Sequence, residues 1–179
     1  MTVMKIRDFI SEEDAQFFRD YADLAISNPS RQIQLASNND LNKVDRVYYS
    51  INSPFWLFEK VRKIAEDNWK EKITFRPDSY AHIMHYLKDS EGLQWHTDGN
   101  MGWVSASINI TPDHEYEGGN FEIESDKDFS CKYREIILYD RLVKHRVTPL
   151  LGGEKMSIVL WLPKVGQENL NKGFQWKYE

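Results

Sequence analysis

The sequence predicts an all-β core with flanking helices, arranged as a double-sheet jelly roll with two N-terminal helices packed on one sheet. Two observations support this prediction. From Thr74 onward, short runs of alternating apolar and polar residues are separated by clusters of Gly, Pro, Asp and Asn, which is typical of strands joined by turns. Before Thr74, two segments repeat their apolar residues at the helical period instead. Their apolar stripes need a surface to cover, and a sheet face provides one.

The chain of 179 residues is long enough to bury a sizeable core, and we expect one domain that covers residues 1–179. Within it, residues 1–73 are predicted to form a helical support, and residues 74–164 the jelly-roll core. Residues 165–179 are expected to be a C-terminal extension. The polar, asparagine-rich stretch 31–52 is a candidate flap.

The first helix is predicted over residues 8–26, with Ser11 as its N-cap and acidic residues in its first turn. The sequence Asn28-Pro29-Ser30 ends it, because proline cannot continue a helix. The second helix is predicted to open at Ser53-Pro54 and to run to about Lys70.

The strands of the core are predicted from the alternation of apolar and polar residues, with Gly118-Gly119 and Gly152-Gly153 as turn signals. The candidate strands are Ser79–Leu87, Leu93–His96, Val104–Thr111, Asn120–Glu124, Cys131–Tyr139, His145–Leu150 and Lys155–Leu162.

Composition narrows the class of protein. A net charge of -5 disfavours nucleic acid as a partner. No apolar run approaches the roughly 20 residues of a membrane-spanning helix, and Met1 to Ile10 lacks the features of a secretory signal, so we expect a cytoplasmic protein with no membrane partner. Cys131 is the only cysteine, which excludes an intramolecular disulfide. It is interpreted as a half-buried hydrophobe in a strand rather than as a catalytic thiol.

A candidate metal site begins with His96-Thr97-Asp98, in which alternate side chains project from one side of a strand end. A second histidine, His145, completes a set of two imidazoles and one carboxylate. Such a set leaves open positions on one side of an ion and is the facial arrangement of non-haem iron(II) oxygenases. Zinc with the same ligands would instead serve a hydrolase or hydratase, and ligand type alone does not decide between them.

The segment that follows His145 is interpreted as a hairpin that turns at Gly152-Gly153-Glu154. In the register this turn implies, Lys155, Ser157 and Trp161 share one sheet face with the histidine. Because a buried ammonium needs an anion, Lys155 favours a site for an anionic ligand, to which Ser157 would add a hydroxyl donor.

Other polar residues allow two interpretations each. The polar face of the strand with Ser105, Ser107 and Asn109 either meets water or lines a wet interior beside the metal. The phenol of Tyr86 reaches either the core or the ligand of the candidate site. We expect His82, His85 and His114 to be surface or core histidines rather than metal ligands. Arg46 and Arg141 are expected to be solvated arginines rather than groups that bind an anionic substrate or a peptide carboxylate. Trp95 and Trp103 form either part of the core or a substrate wall.

Together these motifs resemble the iron(II)- and 2-oxoglutarate-dependent dioxygenases, and most closely their prolyl 4-hydroxylase-like branch. The resemblance covers roughly 83–162. It includes Tyr86, the His96-Thr97-Asp98 motif, Ser-Ile-Asn-Ile-Thr, Glu-Gly-Gly-Asn-Phe-Glu-Ile and His145-Arg-Val-Thr-Pro, with Lys155 ten positions after His145 and Trp161 beyond it. One departure is Asn109, which stands where some prolyl hydroxylases have a second tyrosine.

The resemblance implies a double-stranded β-helix of the cupin-like jelly-roll type, with iron(II) held by His96, Asp98 and His145. It implies that 2-oxoglutarate binds the iron through its 1-carboxylate and 2-oxo groups, while Lys155 pairs with its 5-carboxylate, assisted by Tyr86 and Ser157. Oxygen, and ascorbate as a further ligand, complete the expected set. The family's products would be succinate, carbon dioxide and a hydroxylated substrate.

Three functions follow as hypotheses. The first is an oxygenase that hydroxylates a prolyl residue, another peptide or protein side chain, or a free amino acid. The second is a nucleobase-directed oxygenase, which would need a basic, aromatic-lined groove. The third is a catalytically silent jelly-roll binding module, which would be expected to lack one of the four metal and co-substrate residues, although all four are present.

Overall fold

A computed structural model describes residues 3–28, 32–51, 55–74, 81–99 and 102–167. The helices in this part of the chain are α1 (Glu12–Ile26) and α2 (Phe55–Trp69), with a single 3-10 turn at Asp113–Glu115. The strands are β1 (Val3–Ile6), β2 (Gln32–Ala36), β3 (Val44–Ile51), β4 (Ala81–Tyr86), β5 (Leu93–His96), β6 (Val104–Asn109), β7 (Tyr116–Gly118), β8 (Phe121–Ile123), β9 (Ile136–Asp140), β10 (His145–Val147), β11 (Leu150–Gly153) and β12 (Lys155–Leu162).

Most of the strands belong to one antiparallel sheet of seven, in the order β1-β9-β6-β12-β4-β3-β2. A smaller sheet, β5-β10-β8, and a two-stranded ribbon, β11-β7, make up the other side. Side chains from the large and small sheets meet in an interior cluster, where Phe121 of β8 lies 5.4 Å from Tyr139 of β9 between ring centroids. The predicted all-β jelly roll with flanking helices is therefore confirmed.

Both helices cover the outer face of the large sheet. The buried residues of α1 are Ala15, Phe18, Ala22 and Ala25, and they join α2 residues such as Leu57 in one core cluster with β-strand residues such as Ile83. The cap of α1 is as predicted, since the Ser11 side chain accepts a hydrogen bond of 3.0 Å from the Asp14 amide. None of the helices in the described ranges is long and apolar enough to cross a bilayer.

Strand alternation divides the large sheet into an outer and an inner face. Ile83, Ile108 and Leu138 pack under the helices, whereas Met84 and Tyr139 point to the interior between the sheets. The polar residues Ser105, Ser107 and Asn109 are buried on that inner side, so the interior interpretation of this face is the correct one.

The expectation of a flap over 31–52 is wrong for the residues that the structure describes there. β2 and β3 extend the large sheet, and β3 pairs with β4 along Arg46 to Ile51. Asn38, Asn39 and Asn42 lie in the turn between the two strands, where the amides of Asn42 and Lys43 both donate to Asp40. β1 was not predicted, because it lies outside the region of alternating runs and turn clusters that begins at Thr74. The start of α2 at 52–54 and the extension beyond 167 lie outside the described residues.

The predicted hairpin between β10 and β12 is also wrong. β12 pairs with β4 and β6, whereas β10 pairs with β5 and β8, and β11 pairs with β7. After β10 the chain leaves the small sheet. Leu150 donates its amide to the Ser90 carbonyl, and Gly152 pairs with Glu117 of β7 in the ribbon. The next strand, β12, lies in the large sheet. His145 and Lys155 therefore face one cavity from opposite sheets. Cys131 is buried but precedes β9 rather than lying in it.

Candidate active site

The two predicted histidine ligands are brought together by strand pairing. His96, the last residue of β5, is the cross-strand partner of His145, the first residue of β10. Asp98 lies two residues beyond β5, and its Oδ1 is 3.7 Å from His96 Nε2 and 3.6 Å from His145 Nε2. One potential ligand atom from each of the three lies within 4.8 Å of the others, a spacing at which one metal ion can contact all three.

Each imidazole is oriented by its own strand. Nδ1 of His96 lies 2.7 Å from the Gln94 carbonyl oxygen, and Nδ1 of His145 lies 2.9 Å from the Val143 carbonyl oxygen. A carbonyl can only accept, so Nδ1 carries the proton in the neutral form of each ring, and Nε2 then carries the lone pair. Both lone pairs face the Asp98 carboxylate. This is the orientation that backbone acceptors impose on metal-binding histidines.

His145 is the more deeply enclosed of the two rings. It stacks on Phe121 at 5.2 Å and lies 4.7 Å from the ring of Tyr139. Burial lowers the pKa of His145, against an opposing effect of the Asp98 charge. The ring is thus held in the neutral form that can donate a lone pair to a metal.

A cavity of about 220 Å³ extends from this cluster into the interior. Lys155 lies at its inner end, buried, with Nζ donating to the Gly119 carbonyl oxygen at 2.6 Å and 5.2 Å from the centroid of the Tyr116 ring. Burial lowers the pKa of Lys155 to about 8. The cavity is lined by Tyr48, Met84, Tyr86, Leu93, His96, Thr97, Asp98, Ser107, Phe121, Cys131, Tyr139, His145, Val147, Lys155, Ser157, Val159 and Trp161.

The remaining predicted site residues also line this cavity. Tyr86 is the cross-strand partner of Lys155, and Ser157 lies two residues further along the same strand. Burial keeps the pKa of Tyr86 far above its ordinary value, so its hydroxyl stays a hydrogen-bond donor. The position of Asn109 is explained by a neighbour, since its amide donates to the Tyr116 hydroxyl at 2.8 Å and Tyr116 in turn lies against Lys155.

Sequence reasoning overlooked three tyrosines, Tyr48, Tyr116 and Tyr139, which contribute to the site from β3, β7 and β9. The Tyr139 hydroxyl lies 3.4 Å from His145 Nε2. Alternation in the run Ile136–Tyr139 could not reveal this role, because every position in it is buried.

The other histidines and arginines of the sequence occupy different environments. His82 and His85 are buried and His114 is exposed, as surface or core histidines would be. Arg46 is not a solvated arginine, however. It is 5% exposed, and its Nε donates to Asp45 Oδ1 at 3.1 Å, so the expectation of a surface position is wrong. Arg141 is half-buried and lies 5.2 Å from the Trp103 ring centroid.

No family model matches the chain. Short local similarity links it to two curated proteins. A PKHD-type hydroxylase of Alteromonas mediterranea is 31% identical over 62 residues, which cover 33% of this chain and 27% of that protein. A PKHD-type hydroxylase of Prochlorococcus marinus is 37% identical over 62 residues, which cover 33% of this chain and 28% of that protein. The match thus spans under a third of the length of these curated relatives.

Similarity to solved structures extends over almost the whole chain. A prolyl hydroxylase from Trichoplax adhaerens, in complex with a peptide fragment of the hypoxia-inducible factor oxygen degradation domain, aligns with a TM-score of 0.72 at 16% identity over 94% of this chain and 86% of that one. A prolyl-4-hydroxylase of Pseudomonas putida gives 0.69 at 13% identity over 90% and 91%. The viral collagen prolyl hydroxylase of Paramecium bursaria Chlorella virus-1, as its 2OG complex, gives 0.68 at 14% over 90% and 95%. These similarities confirm the predicted resemblance: the chain has the fold of the prolyl 4-hydroxylase-like iron(II)- and 2-oxoglutarate-dependent oxygenases.

Proposed function

We propose that the protein is an iron(II)- and 2-oxoglutarate-dependent oxygenase that hydroxylates an unactivated C–H bond of a prolyl or other amino-acid residue, in a peptide, a protein or a free amino acid. One observation supports the proposal above all others. Two imidazoles and a carboxylate converge at one end of a cavity, and a buried ammonium lies at its other end. This arrangement suits a small dicarboxylate that contacts a metal at one end and an amine at the other.

The donor set fits iron(II). Nitrogen and oxygen ligands are present without a thiolate, and three ligands leave open coordination positions for a chelating co-substrate and for oxygen. His96, Asp98 and His145 would hold the ion. When bound there, iron(II) would supply the reaction of oxygen with 2-oxoglutarate, which yields succinate, carbon dioxide and a hydroxylated substrate.

Lys155 is the residue that distinguishes the proposed oxygenase from a zinc hydrolase with the same three ligands. Its ammonium is buried beside a backbone carbonyl and an aromatic ring, and no carboxylate lies within salt-bridge distance of it among the described residues. Such a charge is costly until an anion joins it. We therefore assign it the 5-carboxylate of 2-oxoglutarate, with Tyr86 and Ser157 as neighbouring hydroxyl donors.

The substrate would enter between the metal cluster and the aromatic side chains of Tyr48 and Trp161, which line the same cavity. A cavity of about 220 Å³ leaves room for the co-substrate and for one small group of a larger molecule. Flat aromatic walls suit a prolyl ring or a similar aliphatic side chain. The proteins of similar fold that carry prolyl hydroxylase names support this substrate class.

We also propose that residues 1–179 act as one oxygenase domain. The N-terminal strands β1, β2 and β3 belong to the same sheet as β12, and α1 and α2 share one core cluster with that sheet. The N-terminal part would therefore be needed for the catalytic core to fold.

The proposal is tested by adding iron(II) and 2-oxoglutarate to the protein without oxygen. A visible metal-to-ligand charge-transfer band is expected, because the two ligands must share one metal. Oxygen is then admitted, with and without ascorbate, and succinate is measured against prolyl peptides, free amino acids and oligonucleotides. Absence of the band, or a zinc-loaded protein that hydrolyses substrate without 2-oxoglutarate, would contradict the proposal.

A further inference from the structure

The two oxygens of the Asp98 carboxylate have different surroundings. Oδ1 faces the Nε2 atoms of both histidines. Among the described residues, Oδ2 accepts a hydrogen bond from the Ser105 hydroxyl and one of 3.2 Å from the Trp161 indole N–H, and the Tyr139 hydroxyl also interacts with this carboxylate. One oxygen is thus engaged by the protein, while the other is left to face the imidazoles.

Strand register explains why both donors reach one atom. Ser105 of β6 and Trp161 of β12 are direct cross-strand partners on the inner face of the large sheet. Side chains of such a pair stand about 5 Å apart and project in the same direction. Tyr139 of β9 is the partner of Ser105 on its other side, so the row Trp161–Ser105–Tyr139 runs across the sheet beneath the candidate metal ligands.

We infer that Ser105 and Trp161 are positioning residues for the candidate metal centre, which hold Oδ2 of Asp98 so that Oδ1 alone is presented to the ion. This inference rests on the proposed function. A carboxylate on a loop end can rotate, and it can offer a metal one oxygen or both. Two donors on Oδ2 favour ligation by one oxygen, which would leave the remaining coordination positions of a bound ion to the co-substrate and oxygen. Partners of this kind typically alter metal affinity by about 10–100-fold when removed.

Not every polar side chain near the site contacts Asp98. Ser107 faces the same cavity two residues further along β6, yet among the described residues it makes no hydrogen bond to Asp98. Trp103, just before β6, has a buried indole nitrogen with no hydrogen-bond partner in the part of the chain that the structure describes. These two residues supply matched controls, one hydroxyl and one indole N–H that do not touch the carboxylate.

The test measures manganese(II) binding, which requires neither oxygen nor turnover. Ser105→Ala and Trp161→Phe are each expected to raise the dissociation constant for manganese(II) by about tenfold, and the double variant is expected to raise it by about 100-fold. Ser107→Ala and Trp103→Phe should stay within twofold of the wild type. The electron paramagnetic resonance spectrum of bound manganese(II) should change in the first pair only. Thermal unfolding of each metal-free variant shows that it is folded.

The outcomes separate this inference from the proposed function. Wild-type protein that binds no manganese(II) or iron(II) would overturn both. Wild-type protein that binds metal, together with folded Ser105→Ala and Trp161→Phe variants of unchanged affinity and spectrum, would overturn the positioning role alone. Equal losses in the two control variants would also overturn it, because the effect would then reflect packing rather than the hydrogen bonds to Oδ2. Should one of the two test variants fail to fold, the other decides the question.

Discussion

Lys155 and Tyr86 lie directly opposite each other on β12 and β4, and both side chains line the inner end of the cavity. An ammonium and a phenol are thereby placed on one face of a rigid antiparallel pair, without contribution from a loop. Their geometry should be little affected by whether a ligand is present. This pair therefore provides the sharpest tests of the co-substrate site.

Replacement of Lys155 by methionine keeps the volume and removes the charge. We expect 2-oxoglutarate binding to weaken by about 100-fold, since a hydrogen bond to a charged group contributes about 1.5–3 kcal/mol. Metal binding should be unchanged, because Lys155 is at the other end of the cavity. Calorimetric titration of the metal-free protein with manganese(II) measures metal binding, and titration of the manganese(II)-loaded protein with 2-oxoglutarate measures co-substrate binding. Lys144→Met, at an exposed lysine, is the control, and equal binding by Lys155→Met would contradict the assignment.

The affinity for 2-oxoglutarate should depend on pH through Lys155. Burial lowers the pKa of its amine to about 8 in the ligand-free protein, and only the protonated amine attracts a carboxylate. Below this pH the amine is charged and affinity is constant; above it, each pH unit should cost about tenfold in affinity, as the proton must be taken up on binding. Titrations between pH 6.5 and 9.5, a range set by that pKa, measure the profile. Lys155→Arg, whose charge persists, should flatten it.

The hydroxyl of Tyr86 is predicted to donate to the bound co-substrate. Tyr86→Phe should weaken 2-oxoglutarate binding by about three- to tenfold, the size expected for a neutral hydrogen bond of about 0.5–1.5 kcal/mol. Tyr49→Phe is the matched control, because the Tyr49 hydroxyl contacts His85 Nδ1 at 3.1 Å on the outer face of the sheet. A loss of affinity in the control and not in Tyr86→Phe would refute the role.

Asp45 is predicted to be the most sensitive charged residue outside the site. It is fully buried, and it accepts from Arg46 Nε, from the Ser90 hydroxyl at 3.2 Å and from the Glu91 amide at 3.0 Å. Asp45→Ala leaves the buried guanidinium unpaired and should lower the free energy of unfolding by about 3–5 kcal/mol. Urea denaturation measures this loss. Glu124→Ala, which breaks an exposed pair with Lys144, should cost far less.

The sequence allowed the fold class and the identity of the converging side chains to be predicted, for physical reasons. Strands Leu93–His96 and Lys155–Leu162 were bounded correctly because turn residues flank a clear alternation. Alternation also places His96 and Asp98 within reach of one ion, whatever the rest of the chain does. Strand bounds and the spacing of His96 and Asp98 depend on local geometry, which a sequence pattern indicates directly.

What could not be predicted depends on pairing between distant segments. Alternation shows which residues share a face of a strand, but it does not state which strand lies alongside. Hence His145 and Lys155 were assigned to one hairpin, whereas β10 and β12 belong to different sheets. Arg46 was misjudged for a related reason, since its burial depends on Asp45 and on the Ala36 carbonyl across the β2–β3 pair.

The two histidines differ in how much water they meet: 35% of the His96 side chain is accessible, against 4% of that of His145. An ion can therefore arrive and depart past His96, while His145 and the carboxylate stay fixed in the packed interior. Chelators should reach the metal from this side and strip it from a protein that remains folded. The same opening gives oxidants and competing divalent ions a direct route to the metal site. The metal that occupies the site would therefore depend on which ions are abundant around the protein, and not only on the preference of the ligands.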